Sequence, residues 1–175
     1  MKHINIEIKA KCFHPQKVEA FLLSAAANFV GLDQQRDTYF QVPNGRLKLR
    51  QGNIENNLIF YNRPDQGGPK QSDFYLSKIS DGSATEKLLA KALGIKVVVE
   101  KNRKIFFIEN VKIHLDEVPG LGSFVEIEAG NLNDPGKTIE ELKGQCHYYM
   151  NAFEIQEADL IEHSYSDMLL FMQKK

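Results

Sequence analysis

The chain has no tryptophan, only two cysteines and almost no surplus of either charge, with 22 Lys and Arg against 23 Asp and Glu. Each shortage excludes something. Cys12 and Cys146 lie far apart and make no disulfide framework, so they read as free packing thiols in a reducing compartment. A formal net charge of -1 provides no overall field to gather nucleic acid, and no nucleic-acid partner is expected. No apolar run approaches the length of a membrane span, and Met1-Lys2-His3 leads into a strand pattern without an apolar signal region. The cytoplasm is the expected location, with no membrane partner. The histidines include no His-x-x-x-His pair on a helix, so zinc is not expected. The Gly67-Gly68 loop lacks the Gly-Lys-Ser/Thr of a phosphate-binding P-loop. With no repeat, linker or low-complexity tract among its 175 residues, residues 1–175 read as one domain; a homodimer is left open.

What the chain does have is alternation. Residues 3–11 place Ile4, Ile6, Ile8 and Ala10 on one face and Asn5, Glu7, Lys9 and Lys11 on the other, as a strand requires. Pro15 opens a helix whose apolar positions run from Val18 to Phe29, with Gly31 as its stop. Strands are expected over 37–42, 46–50, 58–63 and 74–79, separated by the Pro43-Asn44-Gly45 turn, a turn at 52–57 and a Gly-rich loop at 64–72. A short helix over 84–93 precedes strands at 97–108, 111–117 and 123–129. Asn133-Asp134-Pro135 reads as the start of a helix with Ile139, Leu142, Cys146, Tyr149 and Phe153 as its stripe, and 164–171 as a last helix.

The polar faces of these strands carry charge and little else. Arg46, Lys48 and Arg50 share a face, as do Lys101 and Arg103. Lys112, His114 and Asp116 share another, as do Glu126 and Glu128. Two readings follow. These are solvated faces of an open sheet, or the strands close into a barrel with charges inside and apolar residues outside under the helices. A charged interior must be paired or wet. Arg and Lys suit phosphate oxygens, and carboxylates suit a hard divalent cation that also binds phosphate. Together they describe a triphosphate site.

The pattern resembles the CYTH superfamily, the triphosphate tunnel metalloenzymes, and within it most closely the class IV adenylyl cyclases. The resemblance rests on Asn5-Ile6-Glu7-Ile8-Lys9, Leu47-Lys48-Leu49-Arg50, Glu100-Lys101-Asn102-Arg103, His114-Leu115-Asp116, the run from Gly120 to Glu128 and the tail from Ser164 to Leu170. It implies an α+β fold, an eight-stranded antiparallel β-barrel forming a tunnel flanked by helices. It implies Mg²⁺ or Mn²⁺ held by Glu126 and Glu128, with Glu7 opposite them. Asp116 would assist the metal or position the attacking water or hydroxyl. Lys9, Lys48, Arg50, Lys101 and Arg103 would hold phosphates, with Lys101, Arg103 and Asp116 nearest the chemistry. Two departures stand out. Asn5 occupies the family's first glutamate position, and Arg63 lies one residue past the usual basic position, with Lys70 as a substitute. The implied function is ATP cyclisation to cyclic AMP and pyrophosphate. The alternatives are a tripolyphosphatase or thiamine-triphosphatase-type hydrolase, and a non-catalytic polyanion-binding module. His114 reads either as a tunnel residue or as a hydrogen-bonded structural one.

Overall fold

A computed structural model describes residues 3–132 and 134–174. Its strands are β1 (His3–Lys11), β2 (Asn28–Phe40), β3 (Arg46–Gln51), β4 (Asn56–Asn62), β5 (Lys70–Lys78), β6 (Ile95–Ile108), β7 (Val111–Val118) and β8 (Gly122–Gly130). The helices are α1 (Pro15–Ser24), α2 (Gly82–Leu93), α3 (Ile139–Ala152) and α4 (Tyr165–Gln173). The strands close into a barrel in the order β1-β5-β4-β3-β2-β6-β7-β8, every neighbouring pair antiparallel. The expected α+β barrel flanked by helices is the fold observed.

The register explains which face points where. Ile8 pairs with Ile127, Ile127 with Ile113 and Ile113 with Phe106, an apolar row across four adjacent strands. All four are at most 1% exposed and belong to the core that includes Val18 and Leu22 of α1 and Leu142 and Cys146 of α3. This apolar face is therefore the outside of the barrel wall, covered by helices. One residue along, Lys9 pairs with Glu126 and Glu126 with His114. Because strand side chains alternate, that charged row points inward.

Three segments differ from the sequence expectation. The first helix ends at Ser24, and Phe29 belongs to β2, where it pairs with Phe106 and stacks on it at 4.8 Å between ring centroids. Gly31 is not a helix stop: it sits at a register shift inside β2 with φ +146, a bulge position. Cross-strand packing thus overrides the helical spacing read between Val18 and Phe29. β5 begins at Lys70, earlier than Phe74, because residues 70–74 pair with β1. α3 begins at Ile139, where Thr138 and Glu141 form a reciprocal capping box. That Thr-x-x-Glu signal is a stronger start than Asp134-Pro135; the proposed cap Asn133 lies outside the described residues. No helix among the described residues is long and apolar enough to cross a membrane.

Strand directions define two ends. The ends of β3, β5, β6 and β8 meet the starts of β1, β2, β4 and β7 at one. At the other, α4 is docked: Tyr165 stacks on Phe124 near the start of β8 and donates to Asp116 late in β7 at 2.8 Å. Arg46, at the start of β3, ties the same helix through Asp167 at 2.9 Å.

Candidate active site

The barrel encloses a cavity of about 590 Å³. Lys9, Lys48, Arg50, Arg63, Lys101, Arg103, Glu7, Glu126 and Glu128 all line it, so residues spread from β1 to β8 are brought to one surface. Asn5 lines it too.

On one wall the cations converge on Asp37, a β2 carboxylate 1% exposed. Arg50 donates to it twice, both at 2.9 Å; Lys101 lies at 2.8 Å and Lys48 at 3.3 Å. Burial alone would raise the pKa of Asp37, but Arg50, Lys101 and Lys48 hold it well below the usual carboxylate range. Burial dominates for Lys101: despite Asp37, its pKa is pushed down to about 7. One carboxylate thus fixes three cations.

The facing chemistry comes from β1, β7 and β8. Glu126 takes Lys9 at 3.1 Å, Arg103 at 2.7 Å and His114 Nδ1 at 3.3 Å. Burial would raise the Glu126 pKa; Lys9 and Arg103 outweigh it and hold the group well below its ordinary value. His114 Nδ1, Glu126 and Glu128 bring one donor atom each within 4.8 Å of one another. Glu7 is expected opposite this pair; instead it stands beside it, paired with Glu128 on the adjacent strand.

Asp116 is on the inward face of β7, towards α4. It is 3% exposed, its two oxygens take Arg103 at 2.6 and 2.5 Å, and one also accepts from Tyr165. Arg63 falls just past the end of β4, so strand alternation no longer dictates its direction, and it reaches inward to pair with Glu7. Its Nε and Nη2 are buried and have no hydrogen-bond partner among the described residues. Lys70 does not substitute for it. Its ammonium donates to the carbonyls of Gln66, Ile161 and Glu162 at 3.1 to 3.2 Å, tying the Gly-rich loop to the segment before α4. Cys12 and Cys146 are buried free thiols, and Cys146 donates to the Ile6 carbonyl at 3.1 Å.

Asp37, Glu55, Tyr165 and Lys112 join the cavity lining without a role implied by the sequence pattern. Asp37 shares its strand face with Tyr39, which was available as a signal; Glu55 comes from a turn and carried none.

The closed barrel thus lines one cavity with cations gathered on Asp37 and with carboxylates clustered at Glu126 and Glu128. The CYTH domain model matches residues 3–165, and the chain belongs to the CYTH domain family. A Methanocaldococcus jannaschii protein bearing the name "Putative adenylate cyclase" is 27% identical over 183 residues, covering 94% of this chain and 98% of that protein. Among solved structures, a conserved hypothetical protein from Pyrococcus furiosus superposes with a TM-score of 0.79 at 22% identity, over 93% of this chain and 98% of that one. An adenylyl cyclase-named protein from Hippeastrum, described as having a dominant triphosphatase activity, gives 0.60 at 17% identity over 98% and 96%.

Proposed function

We propose that this chain is a divalent-metal-dependent enzyme that draws a triphosphate into the barrel, and that it converts ATP to cyclic AMP and pyrophosphate in the manner of a class IV adenylyl cyclase. The observation that carries the reading is the division of the cavity wall into a cationic part organised by Asp37 and a carboxylate part at Glu126 and Glu128. Lys9, Lys48, Arg50, Arg63, Lys101 and Arg103 would grip the phosphates. Arg63 supports this directly, since two of its buried nitrogens lack a partner among the described residues and buried donors are costly to leave unpaired. Asp116, whose oxygens accept from Arg103 and Tyr165, would hold Arg103 in place.

The carboxylate wall fits a hard cation. Glu126 and Glu128 offer oxygens close together, with His114 Nδ1 within reach and Glu7 alongside, the donor types that suit Mg²⁺ or Mn²⁺. Asn5 adds an amide where a further charge would stand. When bound, the ion would supply neutralisation of charge on the reacting phosphate.

The adenosine has room. A cavity of about 590 Å³ falls within the roughly 300–1,000 Å³ of pockets that hold whole small-molecule ligands. At the end away from α4 its lining turns apolar, with Ile54, Ile79, Phe107 and Leu132. The base would sit there and the phosphates deeper. The ribose 3′-oxygen would then bond to the α-phosphorus as the bond from that phosphorus to the pyrophosphate oxygen breaks, the hydroxyl proton passing to solvent and the cations stabilising the leaving pyrophosphate.

Hydrolysis is the second reading, favoured by the activity described for the Hippeastrum protein of the same fold. A product assay separates the two. ATP, thiamine triphosphate and inorganic tripolyphosphate are each incubated with Mg²⁺ or Mn²⁺. Cyclic AMP with matching pyrophosphate supports the cyclase, orthophosphate alone supports the hydrolase, and no turnover with any substrate defeats the enzyme reading.

A further inference from the structure

Glu55 is a carboxylate inside the cavity that neither the phosphate grip nor the metal wall uses. It lies in the turn between β3 and β4, not on a strand. That turn is pinned inward. Asp33, fully buried, accepts from the backbone N–H of Ile54 at 2.9 Å and of Glu55 at 3.0 Å. Gly52 permits the approach, since a Cβ there would stand 2.4 Å from an Asp33 oxygen. Asn53 adds two bonds to β2, accepting from Gln34 N–H and donating to the Leu32 carbonyl.

From this fixed turn the Glu55 carboxylate reaches Arg50 Nη1 at 2.9 Å and Gln35 Nε2 at 3.1 Å with one oxygen, and pairs with Lys112 through the other. Lys112 is on β7, three strands from β3 around the barrel, so the pair crosses the interior. Glu55 therefore sits between two cations in the manner of an anionic ligand. Its neighbour Ile54 already belongs to the apolar end of the cavity. Glu55 thus interrupts the run of cations between Arg50 and Lys112.

We propose that Glu55 sets the length of phosphate chain the tunnel accepts, a specificity role that rests on the reading of the cavity as a triphosphate site. Phosphates fill the track from the α4 end up to Arg50. One phosphate more would fall at the place held by Glu55 between Arg50 and Lys112, where like charges meet in a confined space. A third phosphate followed by a sugar or other uncharged group meets no such repulsion. Asp33 fixes the backbone of the turn, and the bonds to Arg50, Gln35 and Lys112 hold the carboxylate between the two cations. Glu55 thus selects a triphosphate or its ester over longer inorganic polyphosphates.

The test is calorimetric titration of metal-free protein with inorganic tripolyphosphate and tetrapolyphosphate, for the wild type, Glu55→Gln and Glu55→Gln combined with Lys112→Gln. In Glu55→Gln the affinity for the four-phosphate chain relative to the three-phosphate chain should rise by about ten-fold or more, because Arg50 and Lys112 become free to take the extra phosphate. The double variant should return most of that gain. A merely structural Glu55 would shift both affinities together, and an unchanged ratio overturns the proposal. Wild-type protein that binds neither chain would instead defeat the triphosphate reading and the proposal with it.

Discussion

The two faces of β8 are one residue apart and obey opposite rules. Val125, Ile127 and Ala129 are at most 1% exposed and lie outside the barrel beneath helices, while Glu126 and Glu128 point into the cavity with side chains 13% and 22% exposed. An ordinary half-buried sheet keeps its charge on the outside. Here the outer face is the core and the inner face is ionic. What holds this chain together and what it does are therefore assigned to alternate residues of the same strands.

Substitutions on the two faces should separate accordingly. The largest effect on folding belongs to the outer face. Ile127→Ala removes a fully buried side chain from the row shared with Ile8 and Ile113 and should cost about 2–5 kcal/mol in urea denaturation. The inner neighbour should behave in reverse: Glu126→Gln keeps the fold by circular dichroism but lowers metal-dependent turnover by about 100-fold or more. A Glu126→Gln enzyme with full activity would erase the distinction.

Lys70 offers an intermediate case, a cation placed by the sequence near the site but used as a structural tie. Lys70→Met leaves the Gln66, Ile161 and Glu162 carbonyls unpaired and should cost about 1–3 kcal/mol of stability, with tripolyphosphate affinity changing by less than that of Lys48→Met.

The smallest effect is a pH dependence. Burial lowers the Lys101 pKa to about 7 against the opposing pull of Asp37. The unfolded chain then binds more protons than the folded one between about pH 7 and the ordinary value of 10.5, so Lys101 contributes a stability that rises with pH across that window. Binding runs the other way. A phosphate needs the ammonium, so tripolyphosphate affinity should fall as pH rises above about 7, and Lys101→Arg, which stays charged, should flatten that fall. An identical pH profile for the variant would remove Lys101 from the grip.

Much of this was legible from alternation. The parity of Ile4 to Ala10 against Glu7 and Lys9 fixes which side chains share a face, and it held in the barrel. Parity does not say which face is inside; the family resemblance supplied that, and the register of Ile8, Ile127 and Ile113 explains it physically. Asp37 escaped notice because its importance lies in meeting Arg50, Lys48 and Lys101 from two other strands, a convergence set by barrel closure rather than local pattern. Glu55 escaped because a turn has no periodicity to read. On a regular strand a one-residue shift would turn Arg63 to the other face, yet β4 ends before it and the rule does not reach it.

The inner carboxylates would serve a metal and the inner cations phosphates. Tripolyphosphate titrated into wild type and Glu126→Gln, each with and without Mn²⁺, tests this division most directly. Both proteins should bind the metal-free anion, and Mn²⁺ should tighten binding in the wild type but far less in the variant. Equal tightening by Mn²⁺ in both, or none in the wild type, would contradict it.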